Sequence, residues 1–242
     1  MITPESKILG LIPARGGSKG IPGKNVIPLQ GRPLIDYTIK CAIRSSSLDR
    51  VIVSTDDEKI ASVSSECGAE VPFLRPEEIS ADTSGALEVI QHAVQTLVDL
   101  EQWRADYIVY LQPTSPFRTE ASINKAIEKL LSSEADSLVS VIPVPHQYSP
   151  ISQMIIEDQF LKPLHKNVPQ IYRRQDKPVT YVRNGPVILV TRYDTIMTKN
   201  SLYGDIVLPF EMSLSESLDI DSPEDLLLAE WQLARRANGL SA

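Results

Sequence analysis

Short apolar runs alternate with segments of helical period over the first two-thirds of this chain. That alternation limits the possible folds more than any other feature. Residues 8–12, 51–54, 71–74, 107–111 and 138–142 each read as a short buried strand. Between them, Leu87, Ile90, Val94 and Leu97 form one apolar helix face, and Ile123, Ala126, Ile127, Leu130 and Leu131 form another. Strands alternating with helices imply an α/β fold, with a mixed, mostly parallel sheet flanked by helices. The alternation stops over residues 143–181, where six prolines and many polar and basic residues dominate. Ile155, Ile156, Phe160, Leu161 and Leu164 still supply apolar anchors there, so the stretch reads as a small structured insertion within one domain spanning residues 1–242. Strand character returns at residues 187–190. A last helix starts near Ser222, with Pro223 in its first turn and Asp225 completing a capping box.

The first strand runs straight into Pro13-Ala14-Arg15-Gly16-Gly17-Ser18-Lys19-Gly20-Ile21-Pro22-Gly23-Lys24-Asn25. Four glycines let the backbone turn tightly and aim N–H groups inward, and Arg15, Lys19 and Lys24 add positive charge. That combination suits a triphosphate. It is neither a Walker A loop, since Ser18 and Asn25 stand where Gly and Ser or Thr are required, nor G-x-G-x-x-G. At the other end, Asp219 and Asp221 lie two apart in an extended segment, which puts both carboxylates on one side. Such a pair repels itself unless a cation intervenes, and Mg²⁺ held by carboxylates and substrate phosphates is the natural one. Helix-entry acids ahead of Ser222 are the structural alternative.

The net charge is −7. A uniformly acidic chain is a poor partner for nucleic acid, which needs clustered cations. The two cysteines, Cys41 and Cys67, show neither CxxC nor metal spacing, consistent with a reduced, cytoplasmic setting. No apolar run is long enough for a signal segment or a membrane span. His92, His146 and His165 have no partners at catalytic or metal spacing, and no G-x-S-x-G elbow is present.

The glycine-rich loop resembles the signature of the acylneuraminate cytidylyltransferases, the CMP-sialic acid synthetase family. Three later segments resemble that family in the same order: Leu111-Gln112-Pro113-Thr114-Ser115-Pro116-Phe117-Arg118 (with Phe117 for Leu), Arg173-Arg174-Gln175 followed by Asn184-Gly185, and Ser217-Leu218-Asp219-Ile220-Asp221. The resemblance implies a nucleotidyltransferase fold and transfer of CMP from CTP to the anomeric hydroxyl of an acidic nine-carbon sugar, releasing pyrophosphate. It implies charge neutralisation by Arg15, Lys19 and Lys24, with Mg²⁺ on Asp219 and Asp221. Nucleotide contacts would come from Gly16, Gly17, Ser18 and Asn25, with Arg75 beside the cytosine ring and Ser84 after a one-residue gap in the pattern. Sugar contacts would come from Gln112, Thr114, Ser115, Arg173, Arg174 and Asn184. The insertion would be the arm of a homodimer. Two other functions compete: a cytidylyltransferase for the eight-carbon sugar of lipopolysaccharide, against which the R-Q and S-x-D-I-D segments speak, and a non-catalytic nucleotide-binding regulator.

Two departures bear on the sugar. Ile188 stands where the N-acetylneuraminate enzymes are expected to carry Tyr, and residues 148–153 hold no Lys. A missing hydroxyl and a missing cation suit a deoxygenated acceptor such as legionaminic or pseudaminic acid. If other groups supply those contacts, the acceptor is ordinary sialic acid.

Overall fold

The computed structural model describes residues 6–18, 20–81, 83–165, 171 and 173–239. In chain order the strands are β1 (Ile8–Pro13), β2 (Pro28–Leu29), β3 (Arg32–Pro33), β4 (Arg50–Ser54), β5 (Tyr107–Leu111), β6 (Ser137–Pro143), β7 (Met154–Glu157), β8 (Phe160–Pro163), β9 (Tyr181–Arg183), β10 (Ile188–Arg192) and β11 (Val207–Glu211). The helices are α1 (Leu34–Arg44), α2 (Glu58–Glu66), α3 (Ala86–Glu101), α4 (Glu120–Leu131), α5 (Tyr193–Met197) and α6 (Pro223–Ala237).

The main sheet runs β11-β6-β10-β5-β1-β4, and β9 adds onto β6. Pairing is parallel at β1/β4, β1/β5 and β11/β6, and antiparallel where β10 meets β5 and β6 and where β9 meets β6. Five of the seven strands therefore point one way, with β9 and β10 opposed. The sheet is mixed and mostly parallel.

The two-residue period of β1 sorts its side chains between two cores. Ile8 and Ile12 join Ile35, Ile39, Ile123 and Ile127 from α1 and α4 on one face. Leu9 and Leu11 join Ile90, Val94 and Leu97 from α3 and Ile196 from α5 on the other. Both helix faces read from the sequence are buried at these positions. Thr119 caps α4 by accepting the Ser122 N–H. Ser222 and Asp225 form the capping box of α6, and Asp225 also accepts the Asp221 N–H at 3.1 Å.

One expectation needs correction. Residues 71–74 are not a strand; only isolated bridges, Ile52 to Glu70 and Thr55 to Leu74, tie this stretch to the edge of β4. Pro72 has no N–H to donate, so a continuous ladder cannot form. The sequence reading left residues 207–211 unassigned, and Pro209 stands inside β11. A proline is tolerated there because β11 is an edge strand.

Residues 143–181 leave the sheet at Pro143 and return at Tyr181, which is its register partner. Within this stretch β7 and β8 form a hairpin, turned by Asp158 and Gln159 in left-handed conformation. Residues 166–170 and 172 lie outside the described residues. Among the described residues no helix is long and apolar enough to cross a membrane. Cys41 and Cys67 are free and buried, and burial pushes both thiols up to about 11, which keeps them protonated and unreactive.

Candidate active site

A cleft of about 470 Å³ opens beyond the C-terminal ends of β1 and β5. Open α/β sheets bind ligands at this place. The loop after β1 contributes Arg15, Ser18, Lys24 and Asn25 to its wall, and residues 75–89 contribute Arg75, Ser80 and Ser84. The end of β5 contributes Gln112 and Thr114, and Asp221 closes the remaining side. Residues far apart in sequence thus meet in one cavity.

The glycines of the loop have distinct local reasons. Gly23 has φ +64°, a left-handed turn that favours glycine. A Cβ on Gly16 would meet Asp57 at 2.8 Å, and one on Gly20 would lie 2.4 Å from the Asp221 carbonyl oxygen. Gly17 is exposed, with open space around it. Lys19 lies outside the described residues. Asn25 is buried and donates from Nδ2 to the Arg15 carbonyl at 2.9 Å, so it shapes the loop from behind. Its Oδ1 is buried without a partner among the described residues.

The acidic end of the cleft is built around Asp219. Its Oδ1 accepts from Thr114 Oγ1 at 2.5 Å and Ser115 Oγ at 3.3 Å, and its Oδ2 accepts from Gln112 Nε2 at 3.1 Å. Thr114 and Ser115 are buried, so these hydroxyls hold the carboxylate. Asp221 is exposed and pairs with Lys24 Nζ at 2.8 Å. Burial holds Asp219 above the usual carboxylate range and the Asp221 charge adds to this, while the Thr114 hydroxyl, Lys24 and Ser115 pull the other way. Gln112 Oε1 is buried beside this pair with no partner among the described residues. Two carboxylates and a spare amide oxygen are hard donors of the kind Mg²⁺ takes, so the residues fit that ion.

Arg75 is not a solvated surface residue. Its side chain is 3% exposed and pairs with Asp56 at 3.4 Å, and its Nε donates to Ser80 Oγ at 3.0 Å. Asn184 is buried away from the cleft wall. Its Oδ1 accepts from Ser140 Oγ at 2.6 Å and its Nδ2 donates to Ser217 Oγ at 2.8 Å. It anchors the start of the segment that carries Asp219. Arg173 and Arg174 are exposed outside the cleft, where Arg173 pairs with Asp176 at 2.5 Å. Ile188 begins β10 and is fully buried in the main core against α4. A tyrosine hydroxyl lost at this position is lost from the core side of the sheet, so Ile188 does not tune the cleft.

Two site residues escaped the sequence reading. Tyr110 lines the cleft, and its hydroxyl is pushed up to about 12 by burial. Its alternation with Val109 and Leu111 along β5 was the available signal. The other is Asp56, one of two adjacent aspartates that the sequence alone could not tell apart.

Among solved structures the chain resembles a CMP:2-keto-3-deoxy-manno-octonic acid synthetase complexed with CTP, at TM-score 0.70 and 17% identity, covering 96% of this chain and 100% of that one. That likeness is one of fold. Sheet and cleft together define a nucleotidyltransferase of the α/β class. A family model described as cytidylyltransferase matches residues 9–230. A CMP-N,N'-diacetyllegionaminic acid synthase of Legionella pneumophila is 38% identical over 227 residues, 93% of this chain and 95% of that protein. An N-acylneuraminate cytidylyltransferase of Escherichia coli is 32% identical over 93% of this chain, which spans only 51% of that longer protein. The chain belongs to the cytidylyltransferase family, among its acylneuraminate-type members.

Proposed function

We propose that this protein transfers CMP from CTP to the anomeric hydroxyl of an acidic nonulosonate, with legionaminic acid or a close relative as acceptor. The observation that carries the reading is the cleft in which the glycine-rich cationic loop meets Asp221 through Lys24, with Asp219 bonded to Gln112 and Thr114 of the cleft wall. The likeness to the legionaminic acid enzyme over nearly the whole of both chains supports the choice of sugar.

In this reading the loop N–H groups, Arg15 and Lys24 hold the triphosphate, and Arg75, Ser80 and Ser84 face the nucleobase. The sugar hydroxyl attacks the α-phosphorus and pyrophosphate leaves, so catalysis is positioning plus charge neutralisation. Mg²⁺ on Asp219 and Asp221 would neutralise phosphate charge. Thr114, Ser115 and Gln112 fix Asp219 in place for that purpose. The direct test is pyrophosphate release from CTP with a panel of acidic sugars. No release with any nonulosonate, with or without the eight-carbon sugar as substrate, would overturn the reading. Release only with the eight-carbon sugar would select the competing enzyme.

Specificity gives a sharper expectation. With no Lys over residues 148–153 and 38% identity to a legionaminic acid enzyme, kcat/KM for legionaminate should exceed that for N-acetylneuraminate by about tenfold or more, the scale on which one matched or mismatched substrate group acts. A preference for N-acetylneuraminate under the same conditions would show that the acceptor is ordinary sialic acid.

The arm supports a homodimer. Ile156, Phe160 and Leu161 on the β7–β8 hairpin are 80%, 70% and 65% exposed, apolar side chains left uncovered by the described residues. A second copy covers it in a two-fold pairing, and Arg173 and Arg174 then reach the neighbour's sugar carboxylate. Light scattering should give the mass of two chains at micromolar concentration, and Phe160→Glu should shift it to one. A wild-type monomer would refute the pairing.

A further inference from the structure

Asp56 and Asp57 follow β4 directly, and the fold sends their carboxylates to different tasks. Asp57 caps α2, accepting the Ile60 N–H at 2.9 Å. Asp56 turns toward the cleft wall. One of its oxygens, Oδ1, accepts both the Gly16 N–H at 3.0 Å and Arg75 Nη2 at 3.4 Å. The glycine-rich loop and the arginine of the opposite wall therefore share one acceptor atom.

The surroundings make that link rigid. The Arg75 backbone N–H donates to the Thr55 carbonyl at 2.7 Å, so Arg75 is pinned to the residue before Asp56. Ser80 holds its Nε from the other side and in turn donates to the Pro76 carbonyl at 2.8 Å. On the loop side, the backbone at Gly16 packs so closely on Asp57 that no Cβ fits. The charges also balance. An unpaired carboxylate beside a triphosphate loop would repel the ligand, and an unpaired buried guanidinium would be costly. Burial draws Arg75 below the ordinary guanidinium range, Asp56 opposes that, and the nearby charge of Arg15 adds to it. Asp56 thus compensates the buried charge of Arg75.

We propose that Asp56 is a positioning residue that sets the phosphate loop and Arg75 relative to each other, so that the triphosphate and the nucleobase of one nucleotide are bound at the same time. The proposal rests on the reading of CTP as substrate. It distinguishes Asp56 from a plain stabilising ion pair, because a brace matters most for a ligand that spans both halves.

The test compares wild type, Asp56→Ala, Asp56→Asn, Arg75→Met and the Asp56→Ala/Arg75→Met double variant. Calorimetric titration at 25 °C uses CTP, tripolyphosphate alone and cytidine alone, with melting temperatures recorded alongside. For Asp56→Ala, CTP affinity should fall at least about tenfold, as for loss of a charge-assisted contact. The two fragments should each change less than about threefold, and kcat at saturating CTP should change little while KM for CTP rises. Asp56→Asn keeps an acceptor for the Gly16 N–H and should fall between. In the double variant CTP should bind no more weakly than in Arg75→Met. A lowered melting temperature with unchanged CTP affinity, or equal weakening of CTP and both fragments, would overturn the brace. Should Asp56→Ala not fold, Asp56→Asn alone decides by the same criteria. Failure of the wild type to bind CTP would instead remove the functional reading beneath it.

Discussion

Asp219→Asn and Asp221→Asn are each expected to lower turnover at least about 100-fold, the scale for losing a principal electrostatic stabiliser in an active site. The structure separates their effects on stability. Asp221 is exposed and, among the described residues, its ion pair is with Lys24, so its replacement should leave folding nearly unchanged. Asp219 is half-buried, and burial together with Asp221 raises its folded pKa above the unfolded value. A raised acid pKa means that the folded protein holds the proton more tightly than the unfolded chain. Stability is then lost as pH rises from the unfolded pKa through the folded one, and the ionised group is a net cost at neutral pH. An amide removes that cost. Its oxygen can still accept from Thr114, and its NH₂ can donate to Gln112 Oε1, which has no partner among the described residues, once that side chain's amide turns over. Asp219→Asn should therefore melt no lower than wild type while being nearly inactive. Magnesium added with CTP should raise the melting temperature of the wild type and not of either variant. Two Asn variants that keep near-wild-type turnover, or that are still stabilised by the metal, would remove the carboxylate pair from the site.

That opposition of stability and activity explains which parts of the molecule could be read from the sequence. The strands that became β1, β4, β5 and β6 are buried on both sides, so their apolar runs are continuous and survive as a local signal. The glycine loop was legible for a related reason, since close approaches leave a compositional trace: Gly16 meets Asp57 and Gly20 meets Asp221. Edges were harder to read, although β4 lies at one and was legible. Residues 71–74 look like a strand by composition, yet Pro72 leaves them with isolated bridges, while β11 tolerates Pro209 because one side of an edge strand needs no donor. Roles within the site were harder to read than membership of it. Asn184 and Ser115 have the chemistry of ligand contacts, but their distances show them bonded to Ser217 and Asp219. Whether a polar group faces a ligand or braces a neighbour depends on long-range partners, and one sequence does not encode those in any local pattern. Asp56 and Asp57 make the same point, being adjacent, identical and differently employed.

Gly20→Ala is expected to lose about 100-fold in kcat/KM for CTP, although it adds a single carbon to an exposed position. The added Cβ would stand 2.4 Å from the backbone carbonyl oxygen of Asp221, far inside van der Waals contact, and that atom is not the movable end of a side chain. Neither side can easily retreat. On the loop side, Ile21 is buried in the same apolar cluster as Ile220, the residue before Asp221. On the other side, the Ile220 N–H donates to the Thr114 carbonyl at 3.0 Å, and the Asp221 N–H donates to Asp225 in the cap of α6. Relief of the clash therefore has to displace either the cationic loop or the segment holding both aspartates, and a misplacement of about 1 Å at a reacting centre costs about 10² in rate. Overpacking of this kind should also lower stability by about 1–3 kcal/mol, visible as a modest fall in melting temperature with the fold retained. Gly17→Ala, whose added carbon meets no atom within 4 Å, is expected to lose far less and serves as the comparison within the same loop. Equal activities for the two variants would mean that the approach of Gly20 to Asp221 relaxes without moving the site, and that the loop and the aspartate pair are not held in fixed register.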